Sequence, residues 1–165
     1  MTELSLCMIV KNEEERLARC LSGVQGAVDE IVIVDTGSTD GTKRVAGQFT
    51  SRVYDYAWDD DFSAARNASL DRATKPFILW LDADDVLEEN ALSILYQAAM
   101  RTGAQITSAN HTLFDVERGC RVPVEIEPVV PQPSEIVREI IHMHRIYNNL
   151  WNKLYVRELF EDGLR

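Results

Sequence analysis

Acidic residues follow a series of short apolar runs in this chain. Asp35 closes Glu30-Ile-Val-Ile-Val-Asp35, and Asp82 closes Pro76-Phe-Ile-Leu-Trp-Leu-Asp82 with Asp84 and Asp85 just beyond. Lys11-Asn12-Glu13 follows the run Leu4 to Val10, and Asp59-Asp60-Asp61 follows Arg52 to Tyr56. Carboxylates crowded together raise one another's pKa unless a cation is present, and hard oxygen donors of this kind select Mg2+ or Mn2+ over zinc. Mg2+ commonly takes one or two protein carboxylates and completes its shell with phosphate oxygens. The D-x-D turn Asp82-Ala83-Asp84 therefore points to a diphosphate ligand, with Asp84 as the metal ligand and Asp82 and Asp85 as further candidates.

Each cluster also has a plainer local explanation. One aspartate of the Asp82 turn could cap a helix starting near Glu88. In Asp35-Thr-Gly-Ser-Thr-Asp40-Gly41 the glycines permit tight turning and Ser38, Thr39 or Asp40 can cap the next helix, which leaves Asp35 itself as the functional candidate. Asp59 to Asp61 suit a solvated loop with charges at a helix start and stay outside the metal site. Arg66, with Asn67 beside it, sits one turn into that helix, where its guanidinium could reach a base carbonyl, a phosphate or a neighbouring aspartate.

The elements that must hold these groups alternate. Leu4–Val10, Glu30–Asp35, Arg52–Tyr56 and Pro76–Asp82 have strand length and β-branched or apolar composition, two of them apolar nearly throughout, as strands buried on both faces are. Helical spacing is expected over Glu13–Gly23, Asp40–Phe49, Phe62–Ala73 and Glu88–Thr102, with Gly103 as a stop. This is an α/β pattern with a mainly parallel sheet, in which ligands bind beyond the carboxyl ends of the strands. From Ala104 strand-like runs follow, then a Pro-rich stretch from Val122 to Pro133, a helical Ser134–His142 and a last segment Trp151–Phe160.

With 165 residues, 45% of them hydrophobic, the chain suits one globular domain. A formal charge of −10 argues against nucleic acid and anionic lipid as partners, since polyanion binding needs a clustered Lys/Arg face. No run approaches the roughly 20 apolar residues of a membrane span, and Leu4 to Val10 is too short for a signal peptide. A cytoplasmic chain is expected, or one peripheral to the inner face of the membrane. Cys7, Cys20 and Cys120 are odd in number and widely spaced, so they read as reduced, mostly buried residues. Trp58 and Trp80 are expected to pack in the core, and His142 and His144 to be ordinary structural histidines.

Four motifs in order, Met8-Ile-Val-Lys-Asn-Glu-Glu14, Ile33-Val-Asp-Thr-Gly-Ser-Thr-Asp-Gly-Thr42, Ala65-Arg-Asn67 and Leu81-Asp-Ala-Asp-Asp85, resemble the family-2 glycosyltransferases with the GT-A fold. Trp151-Asn-Lys-Leu-Tyr155 looks like the W-x-K-L-Y segment found later in some members. The resemblance implies a Rossmann-like three-layer α/β/α fold. It implies a nucleotide-sugar site made from Val10, Asn12, Glu13, Asp35, Arg66 and Asp82, with Mn2+ or Mg2+ on Asp84. It further implies transfer of a sugar, with inversion, from a nucleotide-diphosphate sugar, UDP-sugar favoured, to a saccharide, lipid-linked or protein acceptor. On this reading residues 1–103 are the donor half and 104–165 part of an acceptor-side half. The family's general base usually comes from an acidic motif after W-x-K-L-Y. Glu161 and Asp162 are the weak candidates here, so a truncated chain with weak or absent turnover on its own is expected.

Other readings are less consistent with the pattern. Asp35-Thr-Gly also matches the aspartic-protease loop, but no second D-T-G exists to face it. Phe77 to Val86 resembles the nucleophile loop of haloacid-dehalogenase-like phosphatases, yet three strand-helix units precede it. A sugar-1-phosphate nucleotidyltransferase would have a Gly-rich basic loop where Lys11-Asn-Glu-Glu14 stands. The non-enzyme alternative is a nucleotide-binding or dimerising fragment, a homodimer forming through apolar surface left open.

Overall fold

A computed structural model describes residues 3–108, 111–115, 120–124 and 153–161, with the backbone alone for 111–115 and 120–124. Its elements are β1 (Leu4–Val10), α1 (Leu17–Val24), β2 (Glu30–Asp35), α2 (Thr42–Ala46), β3 (Val53–Asp55), α3 (Phe62–Leu70), β4 (Phe77–Trp80), α4 (Ala91–Thr102), β5 (Ile106–Ser108), β6 (His111–Asp115), β7 (Cys120–Val124), β8 (Lys153–Val156) and α5 (Glu158–Glu161). The expected helix over Ser134–His142, together with His142, His144, Trp151 and Asp162, lies outside the described residues.

One six-stranded sheet runs in the order β3-β2-β1-β4-β8-β5, and β6 pairs with β7 in a separate two-stranded sheet. β1 is parallel to both β2 and β4, and β2 to β3, while β8 is antiparallel to β4 and β5. The sheet is thus mainly parallel, as the alternation of strands and helices implies. The order leaves β1 toward β2 and β3 on one side and toward β4 on the other. A crevice opens beyond the carboxyl ends of β1 and β4, where successive connections depart in opposite directions.

Strand alternation sends two sets of side chains to two faces. Leu4, Leu6, Met8, Ile33 and Leu79 pack with Leu17 and Leu21 of α1, Val45 of α2 and Leu92 and Leu95 of α4. On the opposite face Cys7, Val32, Ile78 and Trp80 meet Leu70 at the end of α3, Tyr155 of β8 and Phe160 of α5. The result is three layers, with the sheet between the helices. Each fully buried Leu or Ile contributes about 1.5–3 kcal/mol of transfer free energy, so the central strands carry much of the stability. Cys7 and Cys20 are buried and unpaired by disulfide, and burial first of all pushes both thiols up to about 12, which makes them inert.

Helix starts differ from those the spacing predicts. Arg16 and Leu17 both donate backbone N–H to Glu13 O, so residues 13–16 form a turn and α1 begins only at Leu17. α4 begins at Ala91 because Asn90 takes a left-handed φ of 66°, which a helix cannot continue through. No aspartate of the Asp82 turn caps it. Gly103 ends α4 in the left-handed conformation, its N–H donating to Ala99 O. Among the described residues no helix is long and apolar enough to cross a membrane.

Candidate functional site

The loops after β1 and β2 are stitched to each other before they can serve a ligand. Asn12 has φ 56°, and its N–H donates to Ser38 Oγ at 2.9 Å while its Oδ1 accepts the Thr39 N–H at 2.8 Å. Glu13 N–H donates to Thr42 Oγ1 at 2.7 Å, and the Glu14 carboxylate accepts from Gly41 N–H and from Arg44, each at 2.8 Å. A Cβ on Gly41 would run into that same carboxylate, so a larger residue there would displace the Glu14 side chain from its present place. Asp40 Oδ1 accepts the Thr42 N–H at the start of α2, and the hydrogen bond from the Thr42 hydroxyl lowers the Asp40 pKa. Asp40 thus braces the first residue of α2, while the N-cap position itself falls to Gly41, which has no side chain to cap the helix.

Asp35 is fully buried at the end of β2. Its Oδ1 accepts N–H groups from Gly37 at 3.0 Å and Ser38 at 2.8 Å, closing a tight turn in which Gly37 has φ 99°. Its Oδ2 has no hydrogen-bond partner among the described residues. A buried carboxylate oxygen without a donor costs desolvation free energy.

At the end of β4 the acidic turn is built from inside. Asp85 Oδ2 accepts the Asp82 N–H at 3.0 Å, Asp85 N–H returns to Asp82 O at 3.1 Å, and the Cys20 thiol of α1 donates to the same carbonyl at 3.6 Å. Burial pushes the Asp85 carboxyl up to about 6, against the opposing hydrogen bond from Asp82 N–H and with help from Asp82 and Asp84. Burial also raises Asp82, which the Arg66 guanidinium opposes and Asp84 reinforces. Asp84 is exposed and makes no hydrogen bond among the described residues. Asp85 thus fixes the turn, while Asp82 and Asp84 present their oxygens outward.

One cleft of about 370 Å³ gathers Ile9, Val10, Lys11, Glu13, Thr36, Phe62, Arg66, Asp82, Ala83 and Asp84. Of the sequence-derived candidates, Val10, Glu13, Arg66, Asp82 and Asp84 line it. Asp35 ends β2, and Asn12 and Asp85 stand in the loops after β1 and β4, outside the lining. Glu161 does not line the cleft; it pairs with Arg157 at 2.9 Å on α5. That helix starts next to the amino end of β4, where Arg157 N–H donates to Pro76 O, so the chain enters it at the end of the sheet opposite the acidic turn.

Asp61 caps α3 by accepting the Ala64 N–H at 3.0 Å, consistent with leaving the Asp59 to Asp61 run out of the metal site. Trp80 packs in the core edge-on to Tyr155 and Phe160, as expected. Trp58 does not: it lies half-buried in the β3–α3 loop against Phe62, which is 60% exposed. Sequence reasoning missed Phe62 because its spacing to Ala65 and Ser69 reads as the buried stripe of α3. Lys11 and Thr36 went unselected although each adjoins a chosen position.

Among the described residues no three His, Cys, Asp or Glu side chains are placed to hold a metal ion. The two outward carboxylates of the Asp82–Asp84 turn fit an ion that takes its remaining ligands from a diphosphate.

A TPR repeat-containing protein of Synechococcus elongatus is 48% identical over 87 residues, 53% of this chain and 22% of that protein. The SPbeta prophage-derived glycosyltransferase SunS of Bacillus subtilis is 37% identical over 81 residues, 48% of this chain and 19% of that protein. This chain therefore matches only about a fifth of the length of each. The crystal structure of glucosyl-3-phosphoglycerate synthase from Mycobacterium tuberculosis in complex with Mg2+ and UDP superposes with a TM-score of 0.66 at 19% identity, covering 94% of this chain and 57% of that one. That likeness establishes the fold, which is GT-A. The family model described as glycosyl transferase family 2 matches residues 5–162, almost the whole sequence, and the chain belongs to that family.

Proposed function

We propose that this chain binds a UDP-sugar with a divalent cation and passes the glycosyl group to an acceptor hydroxyl with inversion at the anomeric carbon. The observation that carries this is the gathering of Val10, Glu13, Arg66, Asp82 and Asp84 on one cleft at the β1/β4 crevice. Residues 1–103 supply that donor site, and 104–165 begin the acceptor side.

The cleft divides the work along the donor. On the β2 side Asp35, whose buried Oδ2 has no donor among the described residues, stands next to Thr36 at the nucleoside end of the cleft. On the β4 side Asp82 and Asp84 would hold Mn2+ or Mg2+ together with diphosphate oxygens, and such an ion stabilises the negative charge of a departing UDP. Arg66, whose positive charge opposes the raised pKa of Asp82, places a further cation in the cleft toward the same phosphates. In the transfer itself the acceptor oxygen bonds to the anomeric carbon as the bond to the diphosphate breaks, and the acceptor's proton passes to a base. Neither the ion pair of Glu161 with Arg157 nor its position supports it as that base.

Thermal unfolding tests the donor assignment. At a UDP-sugar concentration 100 times its Kd, with Mn2+ present, stability should rise by about 2.7 kcal/mol. That corresponds to a Tm increase of roughly 5–11 °C in a chain of this size. No increase with any UDP-, dTDP- or GDP-sugar would refute the proposal.

A further inference from the structure

Resting on the nucleotide-sugar reading, we propose that Phe62, backed by Trp58 and Lys11, is the wall against which the nucleobase of the donor stacks. Phe62 is the first residue of α3 and one of the large apolar side chains left most open to solvent, at 60% exposed, yet it lines the cleft. An aromatic face kept open inside a polar cleft is a surface that a planar ligand covers favourably.

The position of Phe62 is built. Asp61 caps α3 directly before it, which fixes where the helix begins and so where Phe62 projects. Trp58 stands behind it with ring centroids 4.7 Å apart and planes at 71°, an edge-to-face contact. The Trp58 indole N–H donates to Asp60 Oδ1 at 2.8 Å, and Asp60 holds a left-handed φ of 62°. Lys11, at the end of β1, places its Nζ 5.9 Å from the centre of the Trp58 ring, tying the aromatic pair to the floor of the crevice. A loop that accepts backbone strain to hold two aromatic rings in place resembles the arrangements found at ligand sites.

The sheet order says which part of the donor lies here. The Trp58 loop leaves β3, and the strands then run β3-β2-β1-β4. The acidic turn that suits the diphosphate follows β4, on the far side of β1. A ligand with its phosphates at Asp82 and Asp84 extends its nucleoside toward β2 and β3. There it meets the open face of Phe62. A base offers a π face that can lie against the Phe62 ring.

Calorimetric titration in Mn2+ with UDP and with ribose 5-diphosphate, which lacks the base, separates the contributions. Wild-type protein should bind UDP more tightly than ribose 5-diphosphate. Phe62→Ala should weaken UDP roughly 5- to 150-fold, the range that base–aromatic stacking gives on alanine substitution. The same change should leave ribose 5-diphosphate unaffected, and Phe62→Tyr should retain UDP affinity within about twofold. Because Phe62 is largely exposed, the alanine variant should keep its Tm, so lost binding will not reflect unfolding. Equal weakening of both ligands, or unchanged UDP binding in Phe62→Ala, would overturn the base wall while leaving the donor site intact. Wild-type protein that bound neither ligand would overturn the nucleotide-sugar reading itself.

Discussion

Replacing Asp84 with alanine should weaken Mn2+-dependent UDP binding by roughly 100-fold, about 2.7 kcal/mol, without lowering the Tm. The two halves of that expectation come from different observations. Asp84 is exposed and makes no hydrogen bond among the described residues, so the fold loses nothing when its carboxylate is removed. It nevertheless lines the cleft beside Asp82, whose raised pKa reflects burial together with the charge of Asp84. Arg66 offsets part of that repulsion, and a cation shared by the two carboxylates would offset more of it. Asp85→Ala makes the contrasting control: Asp85 holds the turn through Asp82 N–H, so its loss should lower both stability and binding. UDP affinity in Asp84→Ala within about threefold of wild type would remove Asp84 from the metal site.

The second large effect should appear far from the cleft. Glu30 is nearly buried at the start of β2, where its carboxylate accepts from the Ser5 hydroxyl at 2.5 Å, from Thr74 N–H at 2.8 Å and from the Thr74 hydroxyl at 2.9 Å. Arg52 pairs with the same carboxylate and also donates to Arg72 O. One glutamate therefore ties β1, the β3 approach and the α3–β4 connection together. Glu30→Ala would leave Arg52 and several donors uncompensated. Breaking a buried pair in this way costs about 3–5 kcal/mol, and the lower end applies because the Arg52 side chain is one-third exposed. The Tm should fall by roughly 6–12 °C in thermal unfolding. UDP affinity at a temperature where the variant is folded should not change, because Glu30 lies roughly 16 Å along β2 from Asp35 at about 3.3 Å per residue. A loss under about 1 kcal/mol would mean that water replaces the network.

The parts of this architecture that sequence could give are those set by local pattern. Leu4–Val10 and Glu30–Asp35 coincide with the expected strands because a central parallel strand is apolar on both faces and leaves little room for another reading. Asp82 and Asp84 were legible because they follow such a strand directly. What sequence left open depends on contacts between distant segments. β8 comes more than seventy residues after β4 and slots antiparallel between β4 and β5, a pairing that no local periodicity encodes. Asn12 shows the same limit within the site: its residue type suits a ligand contact, yet its side-chain oxygen is taken by Thr39 N–H in a loop 27 positions away. Phe62 was obscured for the opposite reason, since helical spacing alone counts it with Ala65 and Ser69, and only the α3 start shows that its ring faces the cleft. Asp82 and Asp85 look equivalent as neighbours in one motif, but the turn uses one as its fastening and offers the other outward.

Titration of UDP into the protein by calorimetry, first with Mn2+ and then with the ion removed by EDTA, tests the central claim most directly. A cleft that binds a nucleoside diphosphate through the Asp82–Asp84 turn and a shared cation predicts saturable binding with Mn2+ that weakens at least about tenfold, 1.4 kcal/mol or more, in EDTA. Equal affinity in both conditions, or no binding in either, would contradict it.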